Sequence, residues 1–190
     1  MPVHLTRIYT RTGDDGFTGL SDFSRVPKGH PRIGAYADVD ETNAAIGLAV
    51  ALGDLEGDIC DVLRRVQNDL FDVGADLSTP VREDPEHPPL RISSAYVERL
   101  ERYCDAYNDA LPKLNSFILR GGTPGASLLH HACTVARRAE RSSWLLLDVE
   151  PESTHRLPTT YLNRLSDLLF VLARVANRGA DVLWEPAANA

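Results

Sequence analysis

The sequence predicts an all-α protein, an antiparallel five-helix bundle entered through an ordered N-terminal loop. Three observations predict it. Five apolar-periodic segments are separated by glycine and proline punctuation. The last of them keeps the i, i+3, i+4, i+7 rule throughout, and no stretch of convincing length alternates apolar and polar residues as a half-buried strand would. An antiparallel bundle is the economical way to bury such stripes.

Residues 1–30 are rich in Gly, Thr, Ser and Asp without a helical period, which predicts an ordered loop or short extended segment. Helices are predicted at about Arg32–Leu52, Glu56–Leu77, Ser94–Leu111, Gly125–Leu147 and Pro158–Trp184. Between them stand Gly53, Pro80, Pro85, Pro88, Pro89, Pro112, Gly121, Gly122, Pro124 and Pro151, residue types that interrupt or start helices. The Pro- and acid-rich stretch from Ser78 to Pro89 reads as a mobile connector. In the last segment Leu162, Leu165, Leu168, Leu169, Leu172, Val175 and Ala176 form one stripe, with Pro158 in the first turn. At about 27 residues and ~1.5 Å per residue it would be ~40 Å long, which is bundle scaffolding rather than a helix of an α/β layer.

A length of 190 residues predicts a single domain over 1–190, with 1–30 as the loop segment and 31–185 as the bundle, large enough for one core without metal or disulfide staples. Cys60, Cys104 and Cys133 are odd in number and far apart, so neither a disulfide framework nor a CxxC site is indicated, and a reducing cytoplasm is the natural setting. A net charge of -7 argues against a general nucleic-acid binder, so a polyanion would have to meet a local basic pocket. No apolar leader region precedes Leu20, and no stretch approaches the roughly 20 apolar residues of a membrane span, so neither export nor insertion is expected.

Three polar constellations stand out. The first runs Thr10-Arg11-Thr12-Gly13-Asp14-Asp15-Gly16-Phe17-Thr18-Gly19 and continues to Ser24, Arg25 and Lys28. Glycines let backbone N–H groups approach an anion, hydroxyls add donors, and the cations supply charge a triphosphate requires. It is not a Walker A loop, and an ordinary Gly/Thr turn region is the alternative. The second is Arg137-Arg138-Ala139-Glu140-Arg141. Arg137 and Arg141 share a helix face, so they repel unless an anion lies between them; a solvated face balanced by Glu140 is the bland reading. The third is Asn163-Arg164-Leu165-Ser166-Asp167, where Asn163 and Asp167 align one turn apart with Phe170. If buried, that pair must be hydrogen-bonded, either capping a neighbouring helix or holding a ligand. No HExxH, ExxH pair or GxSxG is present. His130 and His131 read as core or surface histidines.

In this order the motifs TRTGDDGFTGLSDFSRVPK, VDETNAAIG, SFILRGG, RRAER and YLNRLSD resemble the PduO-type ATP:cob(I)alamin adenosyltransferase family over Tyr9 to Asp181. The resemblance implies a homotrimer with active sites between subunits, and transfer of the adenosyl group of MgATP to the cobalt of reduced cob(I)alamin. It implies that Thr10, Arg11, Thr12, Gly13, Thr18, Gly19 and Lys28 contact ATP, with Arg137, Arg138, Glu140, Arg141 and Asn163 completing that pocket. Arg137, Arg141 and Asn163 would be catalytic, Arg137 by stabilising the departing triphosphate. Phe117 and Arg120 would lie on the corrinoid side, Phe117 helping to exclude the lower axial ligand. Asp40, Arg164 and Asp167 would order the site or the subunit interface. Mg would enter through the ATP phosphates, with no protein ligand identified.

A corrinoid reductase and an adenosylcobalamin-dependent mutase are the partners the resemblance suggests. Three positions depart from its pattern. Asp15 stands where many relatives have Lys, Cys133 where many have an arginine paired to a first-helix aspartate, and Arg120 where proline is usual. The competing readings are a corrinoid carrier, separated by turnover, and a helical interaction module, separated by a thermal shift with ATP.

Overall fold

A computed structural model describes residues 9–85 and 87–187. Residues 1–8 of the expected loop segment lie outside the described residues. Five helices carry the fold: α1 Pro31–Leu52, α2 Gly57–Ser78, α3 Ser94–Asn108, α4 Pro124–Val149 and α5 Leu157–Ala176. The helix starts have the chemistry their sequences offer. The His30 side chain accepts from Arg32 N at the head of α1, Thr123 accepts from Ala126 N at the head of α4, and Pro31, Pro124 and Pro158 occupy first-turn positions where a missing N–H costs nothing.

α4 is the central helix, packed on α1 and α5, with α2 against α1 and α3 against α5. Its inward residues Ala126, Ala132, Ala136 and Ala139 are fully buried and small, which lets α1 and α5 approach it closely. Leu162, Leu165, Leu168, Leu169 and Leu172 of α5 are likewise fully buried, each contributing about 1.5 to 3 kcal/mol by removal from water.

Two expectations need correction. The last helix ends at Ala176 rather than Trp184, because Arg178 and Gly179 take left-handed φ of 54° and 73° and donate back to the carbonyls of Val175 and Arg174. Gly179 makes that conformation cheap. Residues beyond it fold back, and Leu183 bridges Ile118, so α5 spans 20 residues, or ~30 Å. α3 stops at Asn108, short of Leu111. A two-stranded antiparallel ribbon, β1 Phe17–Gly19 with β2 Arg25–Pro27, lies inside the loop segment and is too short for sequence alternation to reveal.

Polar side chains tie the connectors to the bundle. Asp76, 0% exposed, accepts from Arg91 Nη1 at 2.6 Å and Ile92 N at 2.9 Å, with His155 Nδ1 at 2.7 Å. Arg32, 1% exposed, donates to Leu77 O, Ser153, Thr154 and Glu150. Val81 N donates to Ser153 O at 2.8 Å, so the proline-rich connector is held to the α4–α5 turn.

Candidate active site

The N-terminal loop is built around close approaches. Arg11 sits at φ 61°, Thr10 and Thr12 hydroxyls are 2.9 Å apart, and Gly16 N donates to Gly13 O at 3.3 Å. Lys28 N donates to Gly16 O at 2.8 Å, and its Cε and Nζ lie 3.2 Å from where a Cβ on Gly13 would stand. Glycine at 13 therefore lets the lysine lie across the turn. Thr18 and Gly19 are fixed by strand pairing with Val26 and Arg25. Asp15 closes the loop: it accepts from Phe17 N at 3.1 Å and pairs with Arg25 at 3.3 Å, while Arg25 also donates to Thr12 O at 3.0 Å. The acid at this position thus engages Arg25, leaving Arg11 and Lys28 as the cations beside the Gly/Thr turn.

Tethers hold this loop against the bundle. Ser21 and Ser78 hydroxyls are 2.5 Å apart, Arg82 pairs with Asp22, and His30 Nε2 lies 3.0 Å from Glu150 Oε1. Burial pushes the Asp22 carboxyl up, but hydrogen bonds from Ser24 and the charge and hydrogen bond of Arg82 outweigh it and hold the pKa below its ordinary value.

On α4, Arg137 and Arg141 are exposed and make no hydrogen bond or ion pair with any described residue. Arg138 turns the other way, to Glu41 and to Asp38 at 3.7 Å, so its charge is met by α1. Glu140 Oε1 accepts from Asn163 Nδ2 at 3.1 Å and from Trp144 Nε1 at 3.4 Å. Arg164 pairs with Asp167 at 2.8 Å and Glu101 at 3.1 Å. Asn163 is exposed and Asp167 half-buried, so the buried-pair condition is not met; each is engaged separately, by Glu140 and by Arg164.

Cys133 is buried and donates to Ser166 O at 3.2 Å, with burial pushing its thiol pKa up. Asp40 is exposed on the rim of a cleft of about 590 Å³ between α1 and α2, with Tyr36, Asn43, Phe71 and the loop residues Gly19 and Leu20.

The turn before α4 carries Phe117, 78% exposed, with its ring 6.0 Å from that of Trp184. Trp184 N donates to Phe117 O at 2.7 Å. Arg120 reaches across to α4 and α5: its Nη1 is 3.1 Å from His130 Nδ1 and its guanidinium lies 5.1 Å from the centre of the Phe170 ring. Arg120 also sits close enough to Cys133, together with Arg137, to oppose the rise in the thiol's pKa. The α4–α5 face from Arg120 to Arg141 is thus one continuous strip. Among the described residues no hydrogen bond or ion pair joins that strip to the loop of Thr10 to Lys28, and the chain presents them as two separate surfaces.

The sequence did not point to Asp22, His30, Arg82 and Glu150, the residues that tether the loop. Their partners lie 60 or 120 positions away, and no local pattern marks such a pair.

Fold and site define an all-α five-helix bundle with a cation-flanked Gly/Thr loop at one surface and a pair of unpartnered arginines on another, the equipment of a helical protein that handles a polyanion. The family model described as cobalamin adenosyltransferase matches residues 8–176. A corrinoid adenosyltransferase of Mycobacterium bovis is 65% identical over 189 residues, spanning 100% of this chain and 98% of its own. One from Bacillus subtilis is 40% identical, over 96% of this chain and 94% of its own. A variant PduO-type ATP:corrinoid adenosyltransferase from Lactobacillus reuteri, solved with cobalamin and ATP, superposes with a TM-score of 0.86 at 34% identity, covering 94% of this chain and 99% of that one. The chain belongs to the cobalamin adenosyltransferase family.

Proposed function

We propose that this protein transfers the 5′-deoxyadenosyl group of MgATP to the cobalt of a reduced corrinoid, cob(I)alamin, giving adenosylcobalamin and triphosphate. The observation that carries the reading is the Arg137/Arg141 pair. Two guanidiniums one turn apart, exposed and without partners among the described residues, repel each other until an anion lies between them. The cobalt centre is the nucleophile and belongs to the substrate: its electron pair forms the Co–C5′ bond as the C5′–O bond breaks, and triphosphate leaves with the bonding pair. The protein's share is positioning and charge stabilisation.

In this reading Thr10, Arg11, Thr12, Gly13, Thr18, Gly19 and Lys28 cradle the nucleotide, and the Gly13–Lys28 approach is the feature that fits a phosphate chain. Arg137 and Arg141 meet charge on the departing triphosphate. Glu140 and Asn163, already joined, offer a donor and acceptors to the nucleoside. Arg138, held by Glu41 and Asp38, adds positive field while locking α1 to α4. Arg164 with Asp167 steadies the head of α5, and Asp40 lies on the rim of the α1–α2 cleft. Phe117 and Arg120 face the corrinoid. Mg would enter on the ATP phosphates.

The loop and the arginine strip become one site if copies of the chain assemble as a homotrimer, with each site shared by two subunits. Leu48 and Leu52 of α1 and Trp144, Leu145 and Val149 of α4 are exposed apolar residues that such an assembly would cover. A fully active monomer by light scattering would overturn the trimer. No described helix is long and apolar enough to cross a membrane, and the reading places the enzyme in the cytoplasm, as one folded domain, beside a corrinoid reductase and a mutase that uses its product. The deciding experiment is an anaerobic assay with chemically reduced cobalamin and MgATP, following adenosylcobalamin by absorbance. Formation of product dependent on both substrates is the expected result. Binding of either substrate without turnover would leave a carrier instead.

A further inference from the structure

We infer that His130 is a positioning residue: its Nδ1 holds the Arg120 guanidinium in place over Phe170, so that the cation is already oriented when the corrinoid arrives. The inference rests on the reading of the Phe117–Arg120 turn as the corrinoid side.

The geometry leaves His130 one role. It is 2% exposed, clasped inside α4 with its ring 6.0 Å from that of Phe170. A guanidinium has donors only, so the 3.1 Å approach of Arg120 Nη1 requires Nδ1 to be the acceptor and puts the imidazole proton on Nε2. That Nε2 is buried and finds no hydrogen-bond partner among the described residues. A buried donor without an acceptor weakens a fold, and an apolar ring of the same shape would pack there without that cost. Stability therefore does not account for a histidine at this position, whereas the bond to Arg120 does.

Arg120 needs such a hold. It stands on an exposed turn, and a long side chain left free would lose its rotational freedom only on meeting the substrate. With His130 on one side and the Phe170 face beneath, at 5.1 Å, that freedom is already spent. The cation then lies, like Arg137, close enough to buried Cys133 to oppose the rise in its thiol pKa.

Protonation would undo the arrangement, since it removes the acceptor lone pair and sets two like charges side by side. The groups facing the imidazole are Arg120 from the turn, Asp181 from the C-terminal segment, itself paired with Arg174 of α5, and Cys133 one turn along α4. Burial first, then the Arg120 charge, push the His130 pKa below its ordinary value against a smaller upward pull from Asp181. The neutral, accepting form is thus the resting one at neutral pH.

The test compares His130→Phe, His130→Gln, Arg120→Ala and the His130→Phe/Arg120→Ala double variant in the full trimeric enzyme. His130→Phe should raise the KM for reduced cobalamin about tenfold, the scale of one lost charged hydrogen bond, while the KM for ATP stays within about twofold and Tm is unchanged or higher. His130→Gln, whose amide oxygen can accept the same bond, should recover most of the affinity. The double variant should be no worse than Arg120→Ala alone.

Independently of activity, nitrogen NMR of the imidazole should show Nε2–H in the wild type and a raised His130 pKa in Arg120→Ala. Additive losses in the double variant, or an unchanged His130 pKa in Arg120→Ala, would overturn the coupling. An Arg120→Ala enzyme with normal cobalamin KM but a shifted His130 pKa would instead overturn the corrinoid-side placement of Arg120, and with it the role of His130.

Discussion

Arg32 and Arg137 are the same side chain in opposite circumstances. Arg32 is buried at the head of α1 and donates to two backbone carbonyls, two hydroxyls and the Glu150 carboxylate. Arg137 stands exposed on α4, one turn from a second arginine, with no partner among the described residues. Asp76 and Asp40 repeat the contrast among the acids: one buried and accepting from three residues, the other on the rim of an open cleft. An internally satisfied charge fixes where connectors lie on the bundle. One left unmet beside a like charge is available to a ligand. The first kind should therefore answer in stability and the second in turnover.

The largest expected effect tests the first half. Asp76→Ala strips Arg91, His155 and Ile92 N of a buried acceptor at once, and should cost about 3 to 5 kcal/mol in urea unfolding, as loss of one member of a buried ion pair commonly does. A loss under 1 kcal/mol would make this network dispensable and erase the contrast. Next, Arg137→Ala should lower kcat ~10² to 10³-fold, about 2.7 to 4 kcal/mol of transition-state stabilisation, while unfolding stability stays within about 0.5 kcal/mol. Arg137→Lys should recover only part, because an ammonium lacks the planar fork. Near-normal turnover in Arg137→Ala would return α4 to a solvated face.

A milder probe leaves the sequence intact. ATP at a hundred times its Kd should stabilise the wild type by about 2.7 kcal/mol in thermal denaturation, and no shift at all would remove the nucleotide site.

The smallest effect concerns Glu150. Burial raises its pKa, but hydrogen bonds from Arg32 and Ser153 and the charges of Arg32 and His30 bring it below the ordinary value. A depressed carboxyl stabilises the fold above the unfolded value of about 4.3 and loses that contribution as pH falls through the folded value. The stability gap between wild type and Glu150→Gln should be complete at neutral pH and close in acid. A gap that widens in acid would contradict the assigned direction.

The five helices were legible because their signals are local. Pro31, Pro124 and Pro158 mark starts, and the apolar stripes persist for several turns. The end of α5 is ambiguous in the sequence because Val182, Leu183 and Trp184 continue an apolar pattern beyond Gly179, the residue that stops the helix. Within the candidate site, the shared face of Arg137 and Arg141 follows from helical spacing alone. The partner of Asp15 does not, nor does the engagement of Arg138 by Glu41, which lies 97 positions away. The exposure of Asn163 is not legible either, because a polar residue near an apolar stripe can sit on either side of its edge.

The tethering of the N-terminal loop has a kinetic consequence. Ser21 holds the segment to α2, Asp22 holds it to the following connector through Arg82, and His30 holds it to the end of α4. A segment so held loses little chain freedom on binding, so association is governed by encounter and orientation rather than by a slow folding of the loop around its ligand. Cutting a tether such as Asp22–Arg82 would transfer that ordering to the binding event. The association rate would fall and acquire a steeper temperature dependence, while the chemistry downstream of binding would proceed as before.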